Sequence, residues 1–460
     1  MRRKVLIIPF AMKKILYLSL VLLLSFLAYA ANASTAYHTA TYQPDIHTLR
    51  VRYANLSSLK RPFLILPHTG VIDGTDDNNT LEISFDKLSH DPATYTYTVY
   101  HLNSDMTRSD LQSTEYLQGF TTEDITDYEY SNNTQQIYIH YSFFFPNEDM
   151  RLTASGNYVV HIYEDGDTEK TVADVVIQVV EPIVKIQTTV KAHTTVEFNG
   201  RYQQLDIDLD TRLLNVNNIN EISLFVQQNN RSDNAAVIHQ PTYIEPNRLR
   251  YENHRQLVFE GGNEYRHFDT YSVYYAGTNV NRMFFDHNDY HAFLEPDDNQ
   301  GVTPTTDKTG RPYTMTNDAN GQWVVNVERT DYIDTDAEYV WVHWFLPYPA
   351  PLLDGSVYVN GDLFGNELTL LNRMSYDNER RGYYLNAYLK QGAYEYQYVF
   401  LSKSRRLQSE QDLPPYQKGA SLINFEGSHW ETENEYTVLV YYRETGSRAD
   451  RLVGFSRVYK

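Results

Sequence analysis

Aromatic and apolar residues set at every second position constrain this chain more than any other feature. Thr94-Tyr95-Thr96-Tyr97-Thr98-Val99-Tyr100, Tyr158-Val159-Val160-His161-Ile162-Tyr163 and Tyr394-Glu395-Tyr396-Gln397-Tyr398-Val399-Phe400 all read at period two. That period puts one set of side chains on each face of a pleated strand. Gly, Asn, Asp or Pro bounds each run, and no amphipathic helix of four turns can be written anywhere. Tyrosine is the dominant aromatic, 40 residues against 20 Phe and 4 Trp. It suits a half-buried pleated surface, with the ring packed and the hydroxyl wet. Many short strands at close spacing predict sandwiches. The expected fold is all-β, three consecutive immunoglobulin-like β-sandwiches behind a cleaved signal peptide.

The leader is read from Arg2, Arg3, Lys4, Lys13 and Lys14, which precede an apolar run ending in Ala28-Tyr29-Ala30 and Ala31-Asn32-Ala33. A basic region, an apolar stretch and a small-x-small site describe a secretory signal peptide cleaved after Ala33 or Ala30. Met12 offers a second start with a shorter leader of the same form. The leader takes five of the 39 basic residues and no acid, leaving 34 against 59 acids, a net of −25. That field repels nucleic acid and anionic head groups. The chain has no cysteine, which excludes disulfides, thiolate metal sites and a Cys nucleophile.

Three modules are expected: residues 34–184, residues 185–336 and residues 337–460. The first ends after a strand near 172–180 and the break Glu181-Pro182. The second carries strands around 205–209 and 222–226 and a polar stretch, 295–311, read as a long exposed loop. The third opens with Tyr339-Val340-Trp341-Val342-His343-Trp344. A transmembrane β-barrel is the competitor, but the irregular, acid-rich loops depart from its regular strand-and-turn pattern.

Chemistry leaves little trace. Asp286-His287-Asn288-Asp289-Tyr290-His291 is the densest candidate metal cluster. Its histidine spacing needs a helix to share a face, and the surroundings are strand and loop. Asp73-Gly74-Thr75-Asp76-Asp77-Asn78 gathers oxygen ligands but lacks the register and closing Glu of an EF-hand, so it reads as a turn. No G-x-S-x-G elbow, His-Glu-x-x-His or phosphate-binding loop is present. We assign no catalytic, cofactor-binding or metal-ligating residue, and no interface residue.

Between Val357 and Tyr398 a strand, a Gly turn, a Met-bearing strand and a G-x-Y-x-Y hairpin resemble the early-set immunoglobulin-like modules that flank starch- and glycogen-active enzymes. The sugar-binding versions stack glucose on exposed Trp, and none occurs between Gly355 and Phe400.

A wider resemblance rests on motifs in order. They are Ser113-Thr114-Glu115-Tyr116-Leu117-Gln118-Gly119-Phe120, Ile125-Thr126-Asp127-Tyr128-Glu129-Tyr130-Ser131, Phe145-Pro146-Asn147-Glu148-Asp149-Met150 and Ser155-Gly156-Asn157-Tyr158. Gly261-Gly262-Asn263-Glu264-Tyr265-Arg266-His267-Phe268-Asp269, Thr432-Glu433-Asn434-Glu435-Tyr436 and Asp450-Arg451-Leu452-Val453-Gly454 follow. Together they resemble the plug protein family of the type IX secretion system, with Leu102 and Met106 where the family often carries Cys and Trp. Gly119, Gly156, Gly262 and Gly392 are read as turns of positive φ. The resemblance implies a non-enzymatic periplasmic protein, peripheral to the outer membrane and without a cofactor. It would seal the periplasmic mouth of a very large outer-membrane β-barrel translocon, its partner. A periplasmic or surface glycan-binding sandwich is the alternative.

Overall fold

A computed structural model describes residues 36–55, 60–198, 200–214, 216, 218–303, 305–406 and 413–460. The expected leader, residues 1–33, lies outside the described residues. Helices among the described residues are single turns of three or four residues, and none is long and apolar enough to cross a membrane. Everything else regular is strand, and nearly every pairing is antiparallel.

The first sandwich sets one sheet, Ala40–Thr41, Thr171–Val180, Gly156–Glu164, Tyr95–Leu102 and Thr122–Ile125 in that order, against Ile46–Tyr53, Leu81–Lys87, Ile139–Phe145 and Tyr128–Tyr130. Alternate residues meet between them: Phe85, Tyr95 and Tyr141 pack ring on ring with centroids 4.8 to 5.3 Å apart. Burying each such ring contributes about 1.5–3 kcal/mol. Several tyrosine hydroxyls expected to be wet are inside. Tyr158 Oη donates to Ala154 O at 2.7 Å and Tyr116 Oη to Val99 O at 3.1 Å. A phenol can enter a core only where such an acceptor waits.

The other two sandwiches are not consecutive. Lys185–Lys191, Tyr202–Asp210, Arg248–Tyr251 and Val258–Glu260 form one sheet of the middle sandwich. Its facing sheet joins Ala236–Ile238 and Ile222–Gln228 to Glu435–Tyr442 and Arg451–Tyr459, from the far end of the chain. Tyr436, Val438, Val440, Tyr442 and Val453 share a core with Leu205, Ile207, Leu224 and Phe259. The module expected over residues 337–460 therefore does not hold together. Its last two strands close the middle core, which Ile222–Gln228 would otherwise leave open on one side. The third sandwich is inserted between, with Arg266–Asp269, Trp323–Val325, Gly355–Asn360 and Gly392–Ser402 facing Val280–Phe285, Tyr290–Leu294, Tyr339–Pro347, Ser375–Asp377 and Gly382–Lys390. Two further expectations change. The segment around Gln391 is not a hairpin but a corner, because Gly382–Lys390 and Gly392–Ser402 lie in opposite sheets. The described residues of 295–311 carry no strand, as expected, but are partly docked, with Gln300 N and Val302 N donating to Phe425 O and Ile423 O.

Exit and return of the inserted sandwich run side by side. His429 N donates to Gly262 O at 2.8 Å, and a Cβ on Gly261 would sit 2.0 Å from His429 O. Gly262 has φ +66°, as read from sequence. Gly392 does not have a positive φ; it is demanded by Val324 O, 2.1 Å from where its Cβ would be.

Three buried seams join the sandwiches. Phe63, Val180, Leu439, Tyr441 and Leu452 form an apolar seam between first and middle, where Tyr441 Oη donates to Asn157 Oδ1 at 2.9 Å. Between first and third the seam is ionic. Asp86, fully buried, accepts from His140 Nδ1 at 2.6 Å, Tyr339 Oη at 2.7 Å and Lys390 Nζ at 2.6 Å. Burial pushes the Asp86 carboxyl up, but Lys390 and His140 outweigh it and hold its pKa below the ordinary value. Arg50 and Arg52 reach across the same seam to Asp334. Between middle and third, Glu260 accepts from Ser421 Oγ at 2.8 Å and Leu422 N at 3.0 Å.

Candidate functional site

The two candidate ion sites resolve into turns. Asp286 Oδ1 accepts the backbone N–H of Asn288 and of Asp289, both at 2.9 Å. Those bonds hold the Asp286 carboxyl at about 2, well below its ordinary value. Asp73 and Asp76 likewise cap Thr75 and Asn78. Among the described residues no three His, Asp or Glu side chains converge on a metal position. A shallow groove on the middle sandwich is lined by Asp208, Asp210, Arg212 and Arg248, and these four are paired with one another.

Part of the motifs behind the resemblance, Tyr116, Leu117, Ile125, Phe145 and Met150, builds the core of the first sandwich, and part lies where sandwiches meet. Thr432 Oγ1 donates to Gly262 O at 2.9 Å and Asn434 Nδ2 to Gly261 O at 2.7 Å. Arg266 is held between Glu426 and Asp297. Asn157 takes the Tyr441 hydroxyl, and Asp450 Oδ2 accepts from Ser104 N at 2.8 Å and Ser104 Oγ at 2.7 Å. Asn157 and Asp450 thus join the first and middle sandwiches, Thr432 and Asn434 tie the return of the inserted sandwich to its exit, and Arg266 braces the inserted sandwich internally. Leu102 and Met106, the departures from the family pattern, pack in one small apolar cluster with Val159 and Val176.

The surface itself offers one extended candidate, the outward face of the third sandwich's five-stranded sheet. Val340, Val342, Trp344 and Leu346 of Tyr339–Pro347 point into the core, so Trp341, His343 and Phe345 point out. Register extends them into rows. Phe284 pairs with His291, His291 with Trp341 and Trp341 with Tyr388. Beside this row run Arg282, Phe293, His343 and Asn386, and beyond it Phe345, Tyr384 and Ser375. Phe293 and His343 stack at 4.3 Å with 12° between planes, and Trp341 and Tyr388 lie 4.9 Å apart. The Arg282 guanidinium sits 4.6 Å over Phe293, and that of Arg380 4.0 Å over Phe345, each within cation–π range. Phe284 is 49% and Tyr384 37% exposed. His343 Nδ1 donates to Asn386 Oδ1 at 2.8 Å. Burial, aided by His291 and Arg380 and opposed by Asn386, pushes the His343 pKa down. Sequence reading counted Trp only after Gly355 and so passed over this platform. Its signal was there in Trp341-Val342-His343-Trp344-Phe345, where aromatics occupy both faces of one strand.

Fold and surface define an all-β protein of three interlocked sandwiches, one of which presents an aromatic sheet face. The family model described as "Type 9 secretion system plug protein 1st domain" matches residues 67–181. Among solved structures, a hypothetical protein from Parabacteroides merdae ATCC 43184 is 32% identical, covering 93% of this chain and 100% of that one, with a TM-score of 0.83. No curated protein matches the sequence. The chain belongs to the plug protein family of the type IX secretion system, a family of secretion components.

Proposed function

We propose that the protein closes the periplasmic opening of the large outer-membrane translocon barrel of type IX secretion, acting by binding rather than by catalysis. The observation that carries this reading is the body itself. Three sandwiches are joined pairwise by buried apolar and ionic seams, and the likeness to a solved relative runs over 93% of the chain. A stopper must resist being drawn into a wide channel, and seams of this kind oppose separation of its parts. In this reading the chain is exported by its leader, works in the periplasm and has no segment in the bilayer.

The test is a tagged pull-down from native outer membranes in mild detergent, with mass spectrometry of the partners. Stoichiometric recovery of one very large β-barrel, lost when cargo occupies the channel, is the expected result. Recovery of the protein alone, even after cross-linking, would sink it. A second reading, glycan binding, draws on the aromatic face. Titration with oligosaccharides, following Trp fluorescence, separates the two. Against it, the rings of Phe293 and Phe345 already carry guanidinium groups where a sugar would stack.

A further inference from the structure

We propose that a small cavity between the first and middle sandwiches binds one chloride ion, held by Arg61 and by the side-chain amides of Gln178 and Gln227. Such a site is independent of which partner the chain meets.

The cavity measures about 40 Å³, and Arg61, Gln178 and Gln227 line it together with Phe63, Phe225 and Leu439. Strand alternation aims both glutamines into the seam. Ile177 and Val179 enter the core of the first sandwich, so Gln178 between them points the other way. Val226 enters the middle core while Phe225 packs on the apolar seam, so Gln227 turns with Phe225. Gln178 is 4% and Gln227 9% exposed. Among the described residues neither amide finds a hydrogen-bond partner, and Gln178 Oε1 is shut off from water.

The third group is a cation. Arg61 Nη1 donates to Asn230 Oδ1 at 3.3 Å, and among the described residues no carboxylate is in ion-pair contact with it. Burial pushes the Arg61 pKa down; Asp362, acting from beyond ion-pair distance, and Tyr441 oppose this, and Arg457 adds to it. Arg457 has its own carboxylate, Glu435 at 3.1 Å, and donates Nη2 to Arg61 O at 2.8 Å. A desolvated guanidinium is costly unless an anion accompanies it. Water satisfies an amide, but it brings no charge to a guanidinium. An amide shows oxygen or nitrogen according to how it is turned, so both glutamines can present N–H to an anion. Size narrows the choice. The cavity is little larger than the roughly 30 Å³ that one water occupies in the liquid, room for a monatomic ion rather than phosphate or sulfate.

Ligation from two bodies makes the ion part of their joint. Arg61 and Gln178 belong to the first sandwich and Gln227 to the middle one. An anion that binds only the joined bodies stabilises the joint by mass action.

The experiment uses the full chain. Crystals are soaked in sodium bromide, and anomalous scattering is measured at the bromine edge. A bromide peak in the cavity beside Arg61 is expected in wild type and should vanish in Arg61→Met. In solution, melting temperature is compared in sodium chloride and in sodium gluconate of equal ionic strength, whose anion is too large to enter. Wild type should melt about 2 °C higher in chloride, and Arg61→Met and Gln178→Leu should each narrow that gap. A wild-type cavity without bromide overturns the proposal whatever the variants do, and leaves a site for ordered water. Bromide found only on the outer surface, a cavity peak that survives in Arg61→Met, or equal melting of wild type in the two salts overturns it as well.

Discussion

Two carboxyl groups, Asp86 at the seam of the first and third sandwiches and Glu395 inside the third, behave in opposite ways, and each gives a measurable pH dependence. The folded pKa of Asp86 lies below its ordinary 3.8 because Lys390 and His140 outweigh its burial. Its stabilisation is present above that value and is lost as pH falls through the folded pKa, so the seam between first and third sandwiches weakens in acid. Lys390→Met strands Asp86 as an uncompensated buried charge and should lower stability by about 3–5 kcal/mol in denaturant titration. Adding Asp86→Asn to that variant should recover much of the loss. Glu395 is pushed up to about 7 from 4.5, by burial first and by the Asp318 carboxylate, against N–H bonds from Gly321 and Ala319. A carboxyl with a raised pKa stabilises the fold in its protonated form, so this contribution is lost as pH rises from 4.5 to 7. Melting temperature should fall across that window in wild type, and Glu395→Gln should flatten the slope there.

At the scale of elements, the strand Glu435–Tyr442 carries the most information. It is buried along its whole length: Tyr436, Val438, Val440 and Tyr442 enter the middle core, while Leu439 and Tyr441 enter the seam with the first sandwich. A strand buried on both faces reads as a nearly continuous apolar run, and Tyr436-Thr437-Val438-Leu439-Val440-Tyr441-Tyr442 is one. The insertion makes a sharp prediction for fragments. Residues 262–427, whose core is self-contained, should give a dispersed amide spectrum when expressed alone. Residues 337–460 lack the facing strands of both cores and should be insoluble or unfolded.

On the scale of the whole molecule, the seams decide whether three sandwiches act as one. Leu439→Asp places a charge in the apolar seam of Phe63, Val180, Tyr441 and Leu452, where it has no partner. The expected outcome is a split of the calorimetric transition into two, with a larger radius of gyration by solution scattering. A variant at an exposed position, Tyr274→Ser, should leave both unchanged, since Tyr274 is 87% exposed. The plug reading requires the undivided body, so barrel recovery should fall with Leu439→Asp and not with Tyr274→Ser.

Strand positions were legible without a structure because period-two alternation is a local property: Tyr95-Thr96-Tyr97, Tyr158-Val159-Val160 and Tyr394-Glu395-Tyr396 all lie in strands. The family was legible too, through motifs such as Gly261-Gly262-Asn263 and Thr432-Glu433-Asn434, although not what those motifs do. Their joint role is to bring two linkers side by side, a contact across 170 residues between Gly262 and Thr432 that no local pattern encodes. For the same reason the closing of the middle sandwich by Arg451–Tyr459 and its neighbour was invisible, since strand pairing is chosen by which core stays open. The aromatic face needed register as well. Arg282, Phe293, His343 and Phe345 are scattered along the chain, and only pairing across five strands makes them neighbours. Sequence alone determined that the chain is all-β, acidic and cysteine-free. Tertiary structure decided how many bodies it forms and which scattered aromatic residues share one sheet face, because long-range burial selects among pairings that local pattern leaves equal.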